Sequence, residues 1–345
     1  MYDRVADLPL VVEEYALTAA TLETSSEFTR VSTTVELSGE GETGRGEDVG
    51  YDADDQRRFQ DAYGDGGLDL AGEYTVASFS SRLDDLDLFP APATREHDRH
   101  YRRWALESAA LDLALRQADT DLASALDRSY DPVRFVVSTR LESPTRLDDL
   151  RAVHPDAEFK LDPTDDWDDA LVDAVADRGG VRVLDLKGHY EGTSVDGSVD
   201  PALYRRVVEA FPAAVIEDPA WTDATRPVLE SERDRIAWDA PITGLDSVHD
   251  LPFEPDWLNI KPSRFGTVES LLETIAYCEH EGVTMYGGGQ FELGVGRGQI
   301  QALASLFYPN APNDVAPGGY NAADLPEDLP TSPLGPPSAP SGYHW

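Results

Sequence analysis

The sequence predicts an α/β protein, a (β/α)8-type (TIM-like) barrel preceded by a smaller α+β domain. Three observations point there. From about residue 133 onward, short apolar runs alternate with helical stretches, the pattern of strands joined by crossover helices in a parallel sheet. The runs are VRFVVST, AEFKL, VRVLDLK, AAVIED, RIAWDAP, LNIKP and VTMYGGG. Near their C-terminal ends stand Lys160, Asp185, Glu217, Asp239, Lys261 and Tyr286, 22 to 32 residues apart. A closed barrel of about 250 residues averages about 30 per unit and carries its site at the strands' C-terminal ends. An open doubly wound sheet is the alternative, but no glycine fingerprint follows the first run, as that fold requires for dinucleotide binding.

Residues from about 10 to 90 read as strands and turns. VVEEYALTAATLE and FTRVSTTVELSG form a meander, and the turn-rich GEGETGRGEDVGY ends it. A helix is expected over about 95–118, with Trp104, Leu111 and Leu115 at helical spacing. The eighth barrel run, near PNDVAPGG, is weak. Beyond about 324 the chain is rich in Pro and Ser and reads as an extended tail, which Tyr343 and Trp345 could pin to the body. The expected division is therefore 1–125, 126–323 and 324–345.

Composition narrows the function. The 345 residues carry 66 Asp+Glu against 28 Lys+Arg, a formal charge of -38. Such a surface offers no basic face to nucleic acid and is repelled by anionic membranes. No apolar run of about 18 residues is present, and the acidic N-terminus does not resemble a signal peptide. One cysteine, Cys278, excludes a disulfide framework, and it is expected to pack in an amphipathic helix. A cytoplasmic protein is expected, with a small carboxylic acid as its partner and homo-oligomerisation left open. The charge is spread along the whole chain, which suits a proteome adapted to high salt, where a Debye length of about 3 Å at 1 M removes self-repulsion.

Only three lysines exist, Lys160, Lys187 and Lys261, among 28 basic residues. Arginine would serve an ordinary ion pair, so lysine retained at strand ends points to proton transfer. Asp185, Glu217 and Asp239 end three consecutive runs. Neighbouring strands lie about 4.8 Å apart, so three carboxylates at matching height can converge on one ion. An all-oxygen set favours Mg²⁺ over zinc. Lys160 and Lys261 flank the set, and a lysine beside such an ion can have its pKa lowered toward that of a general base. Lys187 is open to three readings: a third catalytic lysine, a substrate-carboxylate contact, or a partner for Asp185. The Gly287–Gly289 run, with Glu292 after it, can offer backbone N–H groups to an anion or form a tight turn.

IEDP, WDAPI, NIKPSRFG and GGGQFELGVGRGQ resemble the strand-end motifs of the enolase superfamily, in its muconate-lactonizing-enzyme and o-succinylbenzoate-synthase branch. GRGEDVGY and RRWALESAALDLAL resemble parts of that family's capping domain, which here would be residues 1–125. The resemblance implies that Asp185, Glu217 and Asp239 hold Mg²⁺ and that Lys261 is the sixth-strand lysine. Lys160 matches the second lysine of the Lys-x-Lys motif, with Glu158 replacing the first; in the alternative register it is the first, with Asp162 replacing the second. The loop with Gly288, Gly289 and Glu292 would meet the substrate carboxylate, and TLETSSEF would help close the site. Lys187 stands where the family usually has asparagine. The implied reaction is abstraction of a proton α to a carboxylate, leading to β-elimination or cycloisomerisation as in an o-succinylbenzoate synthase. An acid-sugar dehydratase or epimerase is the alternative within the superfamily, and a non-catalytic metal-binding barrel the alternative outside it.

Overall fold

The computed structural model describes residues 1–23, 29–141, 143–189, 197, 199–322 and 324–345. The TLETSSEF segment therefore lies largely outside the described residues. Strands β2 (Glu14–Glu23), β3 (Thr29–Gly39) and β4 (Glu42–Asp48) form the expected antiparallel meander, and β1 (Pro9–Val12) pairs with β5 (Gly72–Thr75). Two helices stand where the sequence predicts turns: α1 (Ala53–Tyr63), between β4 and β5, and α2 (Val76–Asp84), directly after β5. Helix α1 has hardly an apolar stripe to read; Phe59 is its one buried apolar side chain, and Asp52 caps its N-terminus. In α2 a capping box between Thr75 and Ser78 starts a nine-residue helix too short to show a period.

Helix α3 (His97–Gln117) is buried through most of its length and lies against β4. The glycines of GEGETGRGEDVG explain that contact. A Cβ on Gly44 would sit 2.2 Å from the backbone nitrogen of Leu113, and one on Gly46 would sit 2.0 Å from the carbonyl of Ala105. The segment is thus a strand with room for a helix, not a turn. The short α4 (Leu122–Leu126) follows.

The barrel strands are β6 (Val137–Thr139), β7 (Phe159–Leu161), β8 (Val181–Asp185), β9 (Val215–Glu217), β10 (Ile236–Trp238), β11 (Trp257–Ile260) and β12 (Thr284–Gly287). They form one parallel seven-stranded sheet in sequence order. Helices α5 (Thr145–Val153), α6 (Asp169–Arg178), α7 (Pro201–Ala210), α8 (Arg226–Leu229), α9 (Leu245–His249), α10 (Val268–Glu281) and α11 (Val295–Phe307) follow them in turn. All seven runs read from the sequence are present. The eighth position is filled by an irregular segment. Val136 N–H donates to Asn313 O at 2.8 Å, Asp314 N–H to Gly287 O at 2.7 Å, and Gly287 N–H to Asn313 Oδ1 at 2.7 Å, so residues 313 and 314 bridge β6 and β12. Pro309 and Pro312 remove the N–H donors a regular strand would need there.

The C-terminal residues are packed, as the pinning by Tyr343 and Trp345 requires. Leu334 exchanges two backbone hydrogen bonds with Val133, Tyr343 is buried with its ring 6.4 Å from that of Trp104, and Trp345 meets Tyr130. Among the described residues no helix is long and apolar enough to cross a membrane.

Candidate active site

The alternation of a β-strand builds the site in layers. Val183, Val215 and Ala237 cluster inside the barrel with Tyr286 as an apolar floor. Two residues further along each strand, hence on the same face, stand Asp185, Glu217 and Asp239. Asp185 is directly opposite Glu217, and Glu217 opposite Ala237, so Asp239 rises one pleat higher. All three are buried. Lys160 comes from β7 on one side and Lys261 from the end of β11 on the other, both buried.

The lysines are the immediate partners of the carboxylates. Lys160 Nζ lies 2.5 Å from Glu217 Oε1 and 3.2 Å from Asp185 Oδ2, with Asp314 at 3.6 Å. Lys261 Nζ donates to Asp239 Oδ2 at 2.8 Å, and Arg264 reaches Asp239 Oδ1 at 3.3 Å. Lys187 Nζ donates to Asp185 Oδ2 at 2.7 Å and lies 3.3 Å from Asp162 Oδ2, its backbone in the left-handed region at φ 51°. Glu217 also accepts from Tyr286 Oη at 2.6 Å and Asn259 Nδ2 at 3.3 Å. Asp218 accepts from the N–H groups of Asp239 and Ala240 at 2.7 and 2.8 Å and so ties β9 to β10.

Of the two registers for Lys160, Glu158 belongs to neither site nor lysine. Its carboxylate pairs with Arg134 and Arg182 at the opposite end of the strands. Asp162 instead faces the site through Lys187. Tyr286, Asn259, Arg264 and Asp314 also border the centre. Tyr286 was legible as a strand-end residue, whereas nothing in NIKPSRFG or PNDVAPGG distinguishes the other three from structural polar groups.

The electrostatics follow from crowding. Burial, then Asp185 and Asp239, push Glu217 up to about 8 against the pull of Lys160. Burial also opposes the charge of Asp239, but Arg264 and Lys261 hold it down at about 2. Burial disfavours the Lys160 ammonium, yet Glu217, Asp185 and Asp314 together hold its pKa well above the ordinary lysine range. That direction is opposite to the lowering expected for a base, because three carboxylates outweigh desolvation.

Whether these residues suit a divalent ion can be judged from their chemistry. Six carboxylates (Asp162, Asp185, Glu217, Asp218, Asp239 and Asp314) face four cations, Lys160, Lys187, Lys261 and Arg264. Fully ionised they would outnumber the cations by two, and the crowding that pushes Glu217 up to about 8 is what a divalent cation among them would relieve. Asp162 Oδ1 and Asn259 Oδ1 are buried oxygens with no hydrogen-bond partner. Among the described residues no three acidic or imidazole side chains already close around one point. The Lys160 ammonium stands between Asp185 and Glu217, itself a cation held by two of the three expected ligands. Donor type, strand register and charge therefore fit Mg²⁺.

The Gly288–Glu292 loop borders this centre. A Cβ on Gly288 would sit 2.9 Å from Lys261 Cε, and Glu292 Oε1 accepts from Gln290 N at 2.7 Å. A Cβ on Gly289 would sit 2.2 Å from Glu292 Oε2, so the turn requires glycine there. Glu292 is buried and lies 3.4 Å from Arg297. His189 is exposed and meets Trp238 edge-on, and Cys278 is buried in α10.

Comparison with known proteins places this arrangement. The family model described as domain of unknown function DUF8230 matches in two parts, its N-terminal domain over residues 3–125 and its C-terminal domain over 129–322. The chain belongs to the DUF8230 family. An N-succinylamino acid racemase from an Amycolatopsis species is 28% identical over 280 residues, 77% of this chain and 73% of that protein. The o-succinylbenzoate synthase of Bacillus subtilis (strain 168) is 25% identical over 242 residues, 66% of this chain and 62% of that one. Among solved structures, an enolase-superfamily member from Listeria innocua superposes with a TM-score of 0.64 at 19% identity, covering 90% of this chain and 86% of that one. A dipeptide epimerase from Methylococcus capsulatus complexed with Mg ion gives 0.70 at 17%, covering 91% and 92%. This DUF8230 protein has the enolase-superfamily fold, a barrel with an N-terminal capping domain, and with relatives of these activities it is an enzyme of that superfamily.

Proposed function

We propose that this enzyme removes the proton α to the carboxylate of a small organic acid in an Mg²⁺-dependent reaction, and that the resulting enediolate goes on to β-elimination or cycloisomerisation, as in an o-succinylbenzoate synthase. The observation that carries the reading is the placement of Asp185 and Glu217 at one height and Asp239 one pleat higher, above the apolar floor, with Lys160 and Lys261 on either side. When bound to these three carboxylates, Mg²⁺ supplies Lewis-acid stabilisation of the charge that develops on the substrate carboxylate.

The chain's own groups do the rest. Lys160 and Lys261 approach from opposite sides, one to take the proton and the other to stabilise or reprotonate the intermediate. Lys160 acts as a base once its proton is no longer held between Asp185, Glu217 and Asp314. Tyr286 and Asn259 orient Glu217, and Arg264 orients Asp239. Gly288, Gly289 and Glu292 shape the loop that meets the substrate, and Lys187 reaches the same centre from β8. Racemisation is the second reading, favoured by the similarity to an N-succinylamino acid racemase. In this reading residues 1–125 cap the barrel of 126–323, residues 324–345 fasten the two, and the acidic surface belongs to a cytoplasmic protein of a high-salt cell.

The test is incubation in D₂O with Mg²⁺ and a panel of succinyl-substituted and β-hydroxy carboxylic acids. Solvent deuterium at the α-carbon, with or without elimination, is the expected result. No deuterium in any acid, from protein shown to bind Mg²⁺, would refute the proton abstraction.

A further inference from the structure

We propose that Glu47 is a positioning residue for the mouth of the barrel: from β4 it places a carboxylate at the start of α11, where an anion would otherwise be drawn, and so fixes the Gly288–Glu292 loop. The inference rests on the reading that this loop faces the substrate.

Helix α11 opens at Gly294, which has no side chain to cap it, so its first N–H groups need an acceptor from elsewhere. Glu47 provides it. Its carboxylate accepts from Leu293 N at 2.7 Å, from Gly294 N at 3.0 and 3.1 Å, and from Gly296 N at 2.9 Å, and Ser32 Oγ donates to it at 2.7 Å. The side chain is 1% exposed. The glycine at 296 is fitted to it, because a Cβ there would meet Glu47 Oε2 at 2.9 Å and Glu292 Cγ at 2.8 Å.

A second contact, independent of the helix, holds the same loop from the same sheet. The fully buried Arg30 of β3 donates to Gln290 O at 3.0 Å and Phe291 O at 3.3 Å, while its other N–H groups bind Val49 O and Gly50 O at 2.7 and 2.6 Å. Phe291 lies in the left-handed region at φ 62°, a conformation a phenylalanine keeps only when its surroundings hold it there. Two carbonyls and three N–H groups between residues 290 and 296 are therefore bonded by the antiparallel sheet. The helix start that in many barrels receives a substrate phosphate is already neutralised by Glu47. The site is thus set against phosphate-bearing acids, and the loop keeps its shape only while the two sheets stay together.

The experiment compares wild type with Glu47→Ala, in molar KCl, by thermal melting and by hydrogen exchange of the 293–296 amides. Formate and inorganic phosphate are titrated at constant ionic strength. The variant is expected to melt several degrees lower and to exchange these amides at least tenfold faster. Millimolar formate or phosphate should reverse both effects saturably, while wild type shows neither response. A carboxylate with only a bulk packing role predicts the loss without saturable rescue, and a folded variant that ignores both anions would overturn the proposal. Saturable protection of the same amides by phosphate in wild type would overturn it as well, whatever the variant does. Should Glu47→Ala fail to fold, Glu47→Ser, which keeps a partner for Ser32, carries the same comparison. None of these readouts needs turnover, so the α-deuteration experiment judges the functional reading separately.

Discussion

Asp98 gives the sharpest test of how burial governs this acidic chain. It lies in the first turn of α3 and is 2% exposed, and neither carboxylate oxygen makes a hydrogen bond within the protein. Burial first, and then Asp48 beside it, push its pKa from 3.8 to about 6. A folded-state pKa above the unfolded one means that the folded protein holds this proton more tightly. The stabilisation is present below about pH 4 and is lost as pH rises through about 6. A shift of roughly two units, at 1.36 kcal/mol each, makes the ionised group cost about 3 kcal/mol at pH 8. Asp98→Asn keeps the shape and removes the charge. In molar salt it should be more stable than wild type by up to about 3 kcal/mol at pH 8, which for a chain of this size is about 4 °C in melting temperature. The gap should narrow to about 1 kcal/mol at pH 4.5. Thermal and urea unfolding at the two pH values measure it directly. A gap that does not change with pH, or a variant less stable at pH 8, would refute the reasoning, since either would mean that Asp98 is paired when ionised.

The other predictions concern the site and the surface. Asp239→Asn should abolish Mg²⁺ binding in calorimetry while leaving circular dichroism unchanged; full activity after exhaustive chelation would end the metal assignment. Lys160→Ala should stop α-proton exchange, at a cost of about 10²–10⁴ in rate, whereas Lys261→Ala should cut turnover comparably yet leave slow exchange detectable. Near-normal turnover in Lys160→Arg would show that the residue serves as a charge and not a base. Lys187→Gln should bind Mg²⁺ at least tenfold more tightly, because it removes the ammonium that competes for Asp185 and Asp162; unchanged affinity in calorimetry would leave Lys187 a substrate contact instead. With a formal charge of -38, the protein should melt well below its molar-salt temperature in dilute buffer, and a melting temperature independent of salt would contradict adaptation to high salt.

What the sequence disclosed follows from how local each signal is. The barrel strands were legible because each is a short apolar run ending in a polar residue, and a parallel sheet buries both faces of its strands. The acid and lysine layer was legible for the same reason: a charged residue ending an apolar run is placed by the period of two. The glycines of GEGETGRGEDVG misled, because glycine marks a turn and a close helix approach alike, and only the position of α3 against β4 decides between them. Helix α1 was hidden because its buried face includes Asp55 and Gln56, held by Arg58, Thr94 and Thr33 rather than by apolar contacts.

The parts that the N-terminal sheet supplies were not legible because each depends on a partner far away in the chain. Glu47 meets α11 across 246 to 249 residues, and Arg30 meets Gln290 across 260. No periodicity links such positions, and GRGEDVGY reads alone as the edge of a small domain. The consequence for function is physical. Asp185, Glu217 and Asp239 are fixed by the backbone register of neighbouring strands, whereas the loop carrying Gly288, Gly289 and Glu292 takes its shape from the other sheet. Metal binding should therefore survive changes in residues 1–125 that disturb the loop. Substrate discrimination should not, because the groups that hold the loop belong to that domain.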